Sequence, residues 1–184
     1  MSSKRYLPPP HAPTAPITHA LKGHKPWRAA SEAEKLLHSV KVAAALDGLS
    51  FTVNLSEKEE PSIASASDPC RTFARRLQRA FSVIGAPPFA FTVEVSPAGR
   101  THIHGVLIPA TGLARHHVVQ ALMKAGGKVT GRAAARQVSL REITDAGGWQ
   151  RYIMADAERT REALDIKRVA YISDPLRKLV HDHW

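Results

Sequence analysis

Apolar and polar positions alternate in three stretches of the chain, and strict alternation predicts a strand with one buried face. These are Leu49-Ser50-Phe51-Thr52-Val53-Asn54-Leu55, Phe89-Ala90-Phe91-Thr92-Val93-Glu94-Val95 and Arg136-Gln137-Val138-Ser139-Leu140-Arg141-Glu142-Ile143. A fourth strand follows the second directly. The turn Pro97-Ala98-Gly99-Arg100 leads into Thr101-His102-Ile103-His104-Gly105 and the apolar Val106-Leu107-Ile108. Two runs joined by a Gly-containing turn predict a β-hairpin.

Elsewhere the apolar period lengthens to that of a helix. From Ser31 to about Leu46, Ser31 and Glu34 form a capping-box pattern ahead of Leu36, Leu37, Val40, Val42 and Ala44, and Gly48 is a stop. Asp68 caps a second helix with Pro69 at its first position, running to about Ile84. A third spans Gly112 to about Ala125, and a fourth runs from Trp149 to about Leu164 behind Gly147-Gly148. Val169 to Ile172 predicts a short strand, and Asp174-Pro175 starts a last short helix. The polar stretch from Ser56 to about Ser67, rich in Glu, Ser and Pro, predicts a linker.

The core order of strand, helix, strand, strand, helix, strand, helix predicts an α+β fold, a central antiparallel sheet with helices packed on one face. Residues 1–27 carry Pro8, Pro9, Pro10, Pro13, Pro16 and Pro26 and predict a tail with no element of its own. Residues 28–184 fit one domain. No internal repeat is visible.

Composition adds a partner class. The 184 residues are 43% hydrophobic, enough for a core, and 26 Lys+Arg against 16 Asp+Glu leave a formal charge of +10. An excess this large points to a polyanion, most simply nucleic acid. The single cysteine, Cys70, excludes a disulfide framework and a cysteine-cluster zinc site. No stretch approaches the ~18 apolar residues of a membrane span, and the Pro-rich start has no apolar signal core, so a cytoplasmic protein without a membrane partner is expected.

The chemistry sits on the hairpin. Residues two apart on a strand share a face, so His102 and His104 present two imidazoles together, a pair suited to a divalent metal. Glu94, near the end of the partner strand, can add a carboxylate. Arg71, Arg75 and Arg79 recur every four residues along one helix face with Arg76 adjacent, and Arg132, Arg136 and Arg141 run along the last core strand and its approach. Both sets can follow a nucleic-acid backbone, with Arg100 and Arg151 beside the histidine and tyrosine segments. His116, His117, His181 and His183 read as surface residues. On the fourth helix, Trp149, Tyr152, Ile153, Ala157, Thr160 and Leu164 form one face; a tyrosine there is ordinarily core with its hydroxyl at the rim.

Phe51-Thr52-Val53-Asn54-Leu55, the hairpin with His102-Ile103-His104, and Trp149-Gln150-Arg151-Tyr152 occur in an order that resembles the HUH superfamily of single-strand DNA nicking enzymes. Its members include rolling-circle replication initiators, conjugative relaxases and single-tyrosine transposases. The resemblance covers residues 49–160, and its most specific part is the acidic strand, turn and His-x-His strand of replication initiators. It implies a sheet like that of an RNA-recognition motif. It also implies Mn²⁺ or Mg²⁺ on His102, His104 and Glu94, with Asp156 as the alternative third ligand, and a Tyr152 hydroxyl that attacks phosphorus. The products would be a 5′-phosphotyrosine and a free 3′-hydroxyl. The implied partner is single-stranded DNA, at an origin or hairpin, with a separate helicase because the chain has no phosphate-loop motif.

One departure stands out. Initiators carry a lysine three residues after the tyrosine, where this chain has Ala155; Arg151 and Arg159 are the cations nearby in sequence. A rival class is therefore a nucleic-acid-binding module of the same fold without catalysis. Tyr171 is a weaker nucleophile candidate, set in a short apolar segment. A two-histidine phosphoesterase needs two His-x-Thr/Ser copies, which His102-Ile103-His104 does not match.

Overall fold

A computed structural model describes residues 26–182 and, within them, every side chain except that of Arg132. The expected tail thus lies almost wholly outside the described residues, as does His183. Among the described residues the alternating stretches form a five-stranded sheet: β1 (Leu49–Asn54), β2 (Phe89–Val95), β3 (Thr101–Leu107), β4 (Val138–Glu142) and β5 (Ala170–Ile172). The strand order is β4-β1-β3-β2-β5, and every neighbouring pair is antiparallel. With β5 set aside, β1 to β4 and their helices make the β-α-β-β-α-β split arrangement of ferredoxin-like folds.

Register turns alternation into two chemically different faces. Phe51, Gly105 and Phe91 align across β1, β3 and β2, as do Val53, Ile103 and Val93. This apolar face packs against α3 (Pro69–Ala80) and α4 (Arg115–Gly126) through Phe73, Leu77, Val118 and Leu122. The opposite face carries the rows Ser50–Val106–Ala90, Thr52–His104–Thr92 and Asn54–His102–Glu94. Only its first row is largely apolar. There α1 (Glu32–Ala45), α5 (Ala146–Met154) and α7 (Asp174–Asp182) close a second, smaller core with Leu36, Val40, Ile153 and Leu176. Helices therefore cover both faces, not one. Helical periodicity tells that a helix has a buried side but not which side of a sheet it meets.

The local signals hold where capping chemistry set them. Ser31 and Glu34 make the capping box of α1, and the Asp68 carboxylate accepts from Arg71 N–H at the start of α3. Three segments differ. The expected linker contains a short helix, α2 (Glu59–Ala64), anchored by the buried Ile63. A 3-10 turn, Gly131–Arg136, precedes β4. The helix expected from Trp149 to Leu164 is two helices, α5 and then α6 (Ala157–Leu164), separated at Ala155-Asp156. No Gly or Pro marks that break, so the apolar period runs through it.

Gly105 fixes the hairpin against the large core. A Cβ there would stand 2.3 Å from the Ala90 carbonyl oxygen, 2.6 Å from the Phe51 ring and 2.7 Å from Phe91 Cβ. One of these contacts is backbone in the neighbouring strand, so rotamer changes cannot relieve it. Gly105→Ala should lower stability by about 3 kcal/mol, the upper range for overpacking, measured as a drop in thermal midpoint. An unchanged midpoint would mean that β2 and β3 can separate at no cost.

Candidate active site

The site forms where the second and third polar rows meet α5. His104 is almost completely buried, 4% exposed, and His102 is half-buried beside it, with ring centroids 6.3 Å apart. Each imidazole is held at Nδ1 by β1. The Asn54 Oδ1 atom lies 2.7 Å from His102 Nδ1, and Asn54 Nδ2 donates to the Arg136 carbonyl at 2.6 Å. The second bond fixes which end of the amide faces the ring. His102 Nδ1 must then donate, which leaves the lone pair on Nε2. Thr52 Oγ1 lies 2.9 Å from His104 Nδ1, and a hydroxyl can donate or accept, so it serves either tautomer. Partners of this kind on the far nitrogen orient metal-ligating histidines.

Glu94 pairs with His102 in register, yet its carboxylate reaches diagonally to His104, with Oε2 3.3 Å from Nε2. Electrostatics favours uncharged rings. Burial pushes His104 down to about 4, and the neighbouring His102 adds to that shift. Burial also lowers His102, opposed by Glu60 and aided by Arg100. Burial raises the Glu94 carboxyl, partly offset by Arg159.

These directions set a pH dependence for the metal-free protein. His104 binds its proton near 6.5 when unfolded and near 4 when folded. Its contribution is therefore fully present above pH ~6.5 and lost as pH falls toward 4, amounting to about 3 kcal/mol. Glu94, raised in the fold by burial, acts oppositely: its contribution is present below the unfolded carboxyl value and lost as pH rises through the folded one. Denaturant melts in chelator at pH 7 and pH 4.5 should show the loss for wild type. The difference should be smaller in His104→Asn; an equal loss in both would assign acid sensitivity to other groups.

Tyr152 closes the site from above. Its ring stands edge-on to His104 at 5.4 Å between centroids and stacks on Trp149 at 5.3 Å, while the residue is 55% exposed. The Trp149 indole N–H reaches the Gly105 carbonyl at 3.3 Å, which ties α5 to β3. An exposed phenol on a buried imidazole is not the rim tyrosine of an ordinary core helix.

The donor set fits a divalent ion: two neutral imidazoles with orienting bonds, and a carboxylate within reach. As placed, the three do not close on one point, and among the described residues no group of three His, Cys, Asp or Glu side chains is gathered to hold an ion. Closure requires that the contact between Glu94 and His104 be exchanged for contacts to the metal. The Thr52 hydroxyl accommodates the tautomer change this entails. Asp156 is drawn elsewhere, into an ion pair with Arg159, and the carboxylate touching a site histidine is Glu94. Arg159 lies close enough to Glu94 to influence its carboxyl, and its Nε has no hydrogen-bond partner among the described residues.

The basic residues separate by face. Arg141 shares the polar face with Ser50 and lines a depression with Tyr152. Arg136 is exposed beside Asn54. Arg100, at the hairpin turn, is paired with Glu60, its Nε 2.7 Å from Oε2. Arg151 is exposed on α5. Arg71, Arg75 and Arg79 are also exposed, but α3 covers the other side of the sheet. The stripe therefore cannot touch a strand lying at His102 and Tyr152. His116, His117 and His181 are exposed, as expected. Tyr171 stacks on Phe89 and Phe91, on the face away from the histidines.

Thr52 and Asn54 escaped the sequence reading. Their only signal was their position on the polar face of β1, which acquires meaning once β1 is known to pair with the histidine strand. No family model, curated protein or solved structure matches this chain. Among the described residues no helix is long and apolar enough to cross a membrane.

Proposed function

We propose that the protein is a metal-dependent, tyrosine-using single-strand DNA endonuclease and strand transferase of the HUH type, acting as a replication initiator of a plasmid or mobile element does. The observation that carries this reading is the half-exposed Tyr152 ring set 5.4 Å from the buried His104, on the sheet face that also holds His102 and Glu94.

His102, His104 and Glu94 would hold Mn²⁺ or Mg²⁺, which when bound supplies Lewis acidity to a non-bridging phosphate oxygen. The residues of the chain do the rest. Asn54 and Thr52 keep the two ring nitrogens aimed. The Tyr152 oxygen attacks phosphorus, forming the tyrosyl P–O bond as the bond to the 3′ oxygen breaks. Its proton passes to solvent or a nearby base. The 3′ oxygen leaves with the electron pair of the broken bond and takes a proton from solvent to become the free 3′-hydroxyl. The bond energy stays in the 5′-phosphotyrosine, so the reverse attack by a 3′-hydroxyl rejoins or transfers the strand. Arg159, ion-paired with Asp156 and close enough to lower the Glu94 carboxyl, is the cation that would stand in for the lysine missing at Ala155. A separate helicase would expose the strand.

The test is a labelled single strand carrying the element's origin, incubated with Mn²⁺ or Mg²⁺. A covalent protein–DNA band that survives denaturation is expected. A second reading, a binding module without catalysis, is favoured by Ala155. It predicts binding that persists in chelator, with no adduct in any metal.

Strand binding should be largely electrostatic, its affinity falling with salt at a slope near −0.7 per phosphate neutralised. Arg141, near the end of β4 on the site face, and Arg136, in the turn just before β4 beside Asn54, flank the site, whereas Arg75 and Arg79 lie on the helix that covers the other face. Arg136→Ala with Arg141→Ala should make the slope shallower by about 0.7 to 1.4, read by fluorescence anisotropy. Arg75→Ala with Arg79→Ala should leave it unchanged. The opposite outcome would put the DNA path across α3.

A further inference from the structure

Beside Tyr152, away from Glu94, the surface is hollowed. Two depressions of about 410 and 280 Å³ lie along the flank of α5 above β1 and β4. Both are lined by Ser50, Arg141, Trp149 and Tyr152, so they form one groove. Thr52 and Ser139 line the end nearer the second row of the sheet, whereas the end at the start of α5 is lined by Gly148 and by two carboxylates, Glu142 and Asp145, so a phosphate would sit toward the first end. The metal-site chemistry uses none of Ser50, Ser139 or Arg141.

The lining describes an occupant. One wall is a stacked indole and phenol, Trp149 and Tyr152, inclined by only 24°. The floor holds Thr52 facing Ser139 and Ser50 facing Arg141 across β1 and β4. Thr52 is engaged with His104 and Ser50 with the Arg141 carbonyl, so Ser139 is the exposed hydroxyl, and the exposed Arg141 stands at the outer rim. The Arg141 side chain has no acidic partner among the described ion pairs, and Ser50 takes its carbonyl, not its guanidinium. An aromatic wall, hydrogen-bonding floor and cationic rim suit a planar, hydrogen-bonding group that carries a phosphate. The volume is that of a small-ligand site. The positive excess of the chain points to the same class.

We infer that this groove holds one unpaired nucleotide of the DNA strand adjoining the phosphate that Tyr152 attacks, its base against Trp149 and its backbone phosphate on Arg141. The inference rests on the strand-cleaving reading for the identity of that neighbouring phosphate. It places the strand on the β4 side of Tyr152, not the β5 side. Base stacking of this kind tolerates every base, because each has a π face. The groove therefore adds grip at the junction more than sequence choice. The Asp145 carboxylate is engaged with the Gly148 N–H at 2.8 Å and serves the helix first.

The experiment is photo-crosslinking of the full chain to single strands that carry 5-iodouracil at successive positions. It is read by mass spectrometry and paired with anisotropy on Ser139→Phe and Arg141→Gln. At one position the adduct should map to Trp149 or Tyr152. Ser139→Phe fills the groove from an exposed site on β4 and should weaken binding about tenfold, with Mn²⁺ binding retained. Arg141→Gln, which adds no bulk, should weaken it by a smaller factor. Adducts confined to other residues, such as Trp27 near the β5 edge, would overturn the inference, as would wild-type affinity in both variants. The two readings fail separately. Wild type that cleaves while both variants bind and cleave normally removes the groove alone. Wild type that crosslinks at Trp149 and is weakened by both variants, but never forms an adduct through tyrosine, removes the endonuclease and keeps the groove.

Discussion

Tyr152→Phe should abolish the covalent DNA adduct while leaving the fold and non-covalent strand binding as they were. The substitution deletes one oxygen. The ring keeps its edge contact with His104 and its stacking on Trp149, neither of which needs the hydroxyl. With the residue 55% exposed, stability should change by less than about 0.5 kcal/mol, as for surface substitutions generally. A phenylalanine has no nucleophile, so the adduct should fall below detection, not merely slow. Denaturing gels of wild type and variant with labelled single strand and Mn²⁺ provide the measurement. An undiminished adduct would sink the nucleophile assignment. Tyr171 would not be the natural successor, since it is stacked on Phe89 and Phe91 on the other face of the sheet.

How far the sequence could carry this picture depends on the range of the interaction involved. His102 and His104 share a face because strand geometry alone dictates it, and the short Pro97–Arg100 turn fixes which residues of β2 lie opposite. Glu94 was therefore within reach of a local argument, and in the structure it pairs with His102 in register and touches His104. Helix starts at Ser31 and Asp68 were equally local, set by side chains that cap their own backbone. Facts that depend on pairing between distant segments were not readable this way. Thr52 and Asn54 gain their role only because β1 lies beside β3, about fifty residues away in sequence.

The arginines teach the same point from the other side. The period of Arg71, Arg75 and Arg79 correctly implies one exposed stripe, and the structure exposes all three. Nothing in that period reveals that α3 buries Phe73 and Leu77 against the Phe51–Phe91 face, which turns the stripe away from the site. Tyr152 lay between these cases. Its helix face was readable, but its position over His104 depends on α5 packing beside α1 on the polar side. The resemblance to nicking enzymes, not periodicity, singled it out. The break at Ala155-Asp156 also matters here. It ends α5 at Met154, two residues before Asp156, whose carboxylate then pairs with Arg159.

His102→Ala combined with His104→Ala should remove metal binding altogether. Wild type is expected to take about one Mn²⁺ per chain, since the site face offers a single pair of neutral imidazoles with a carboxylate beside them. Without both rings, Glu94 alone is a single partly buried carboxylate, too few donors to hold a divalent ion. Calorimetric titration, or the loss of the free-ion Mn²⁺ resonance, measures the stoichiometry directly and does not depend on cleavage. A quieter variant separates a designed site from an incidental histidine pair. Asn54→Leu keeps every ligand but frees His102 Nδ1 from its acceptor. It should weaken Mn²⁺ by roughly 10- to 100-fold, the usual cost of losing an orienting partner. Full-strength binding in the double alanine variant would move the metal off this face. Full-strength binding in Asn54→Leu would mean that the 2.7 Å contact to His102 does not hold the ring for a ligand.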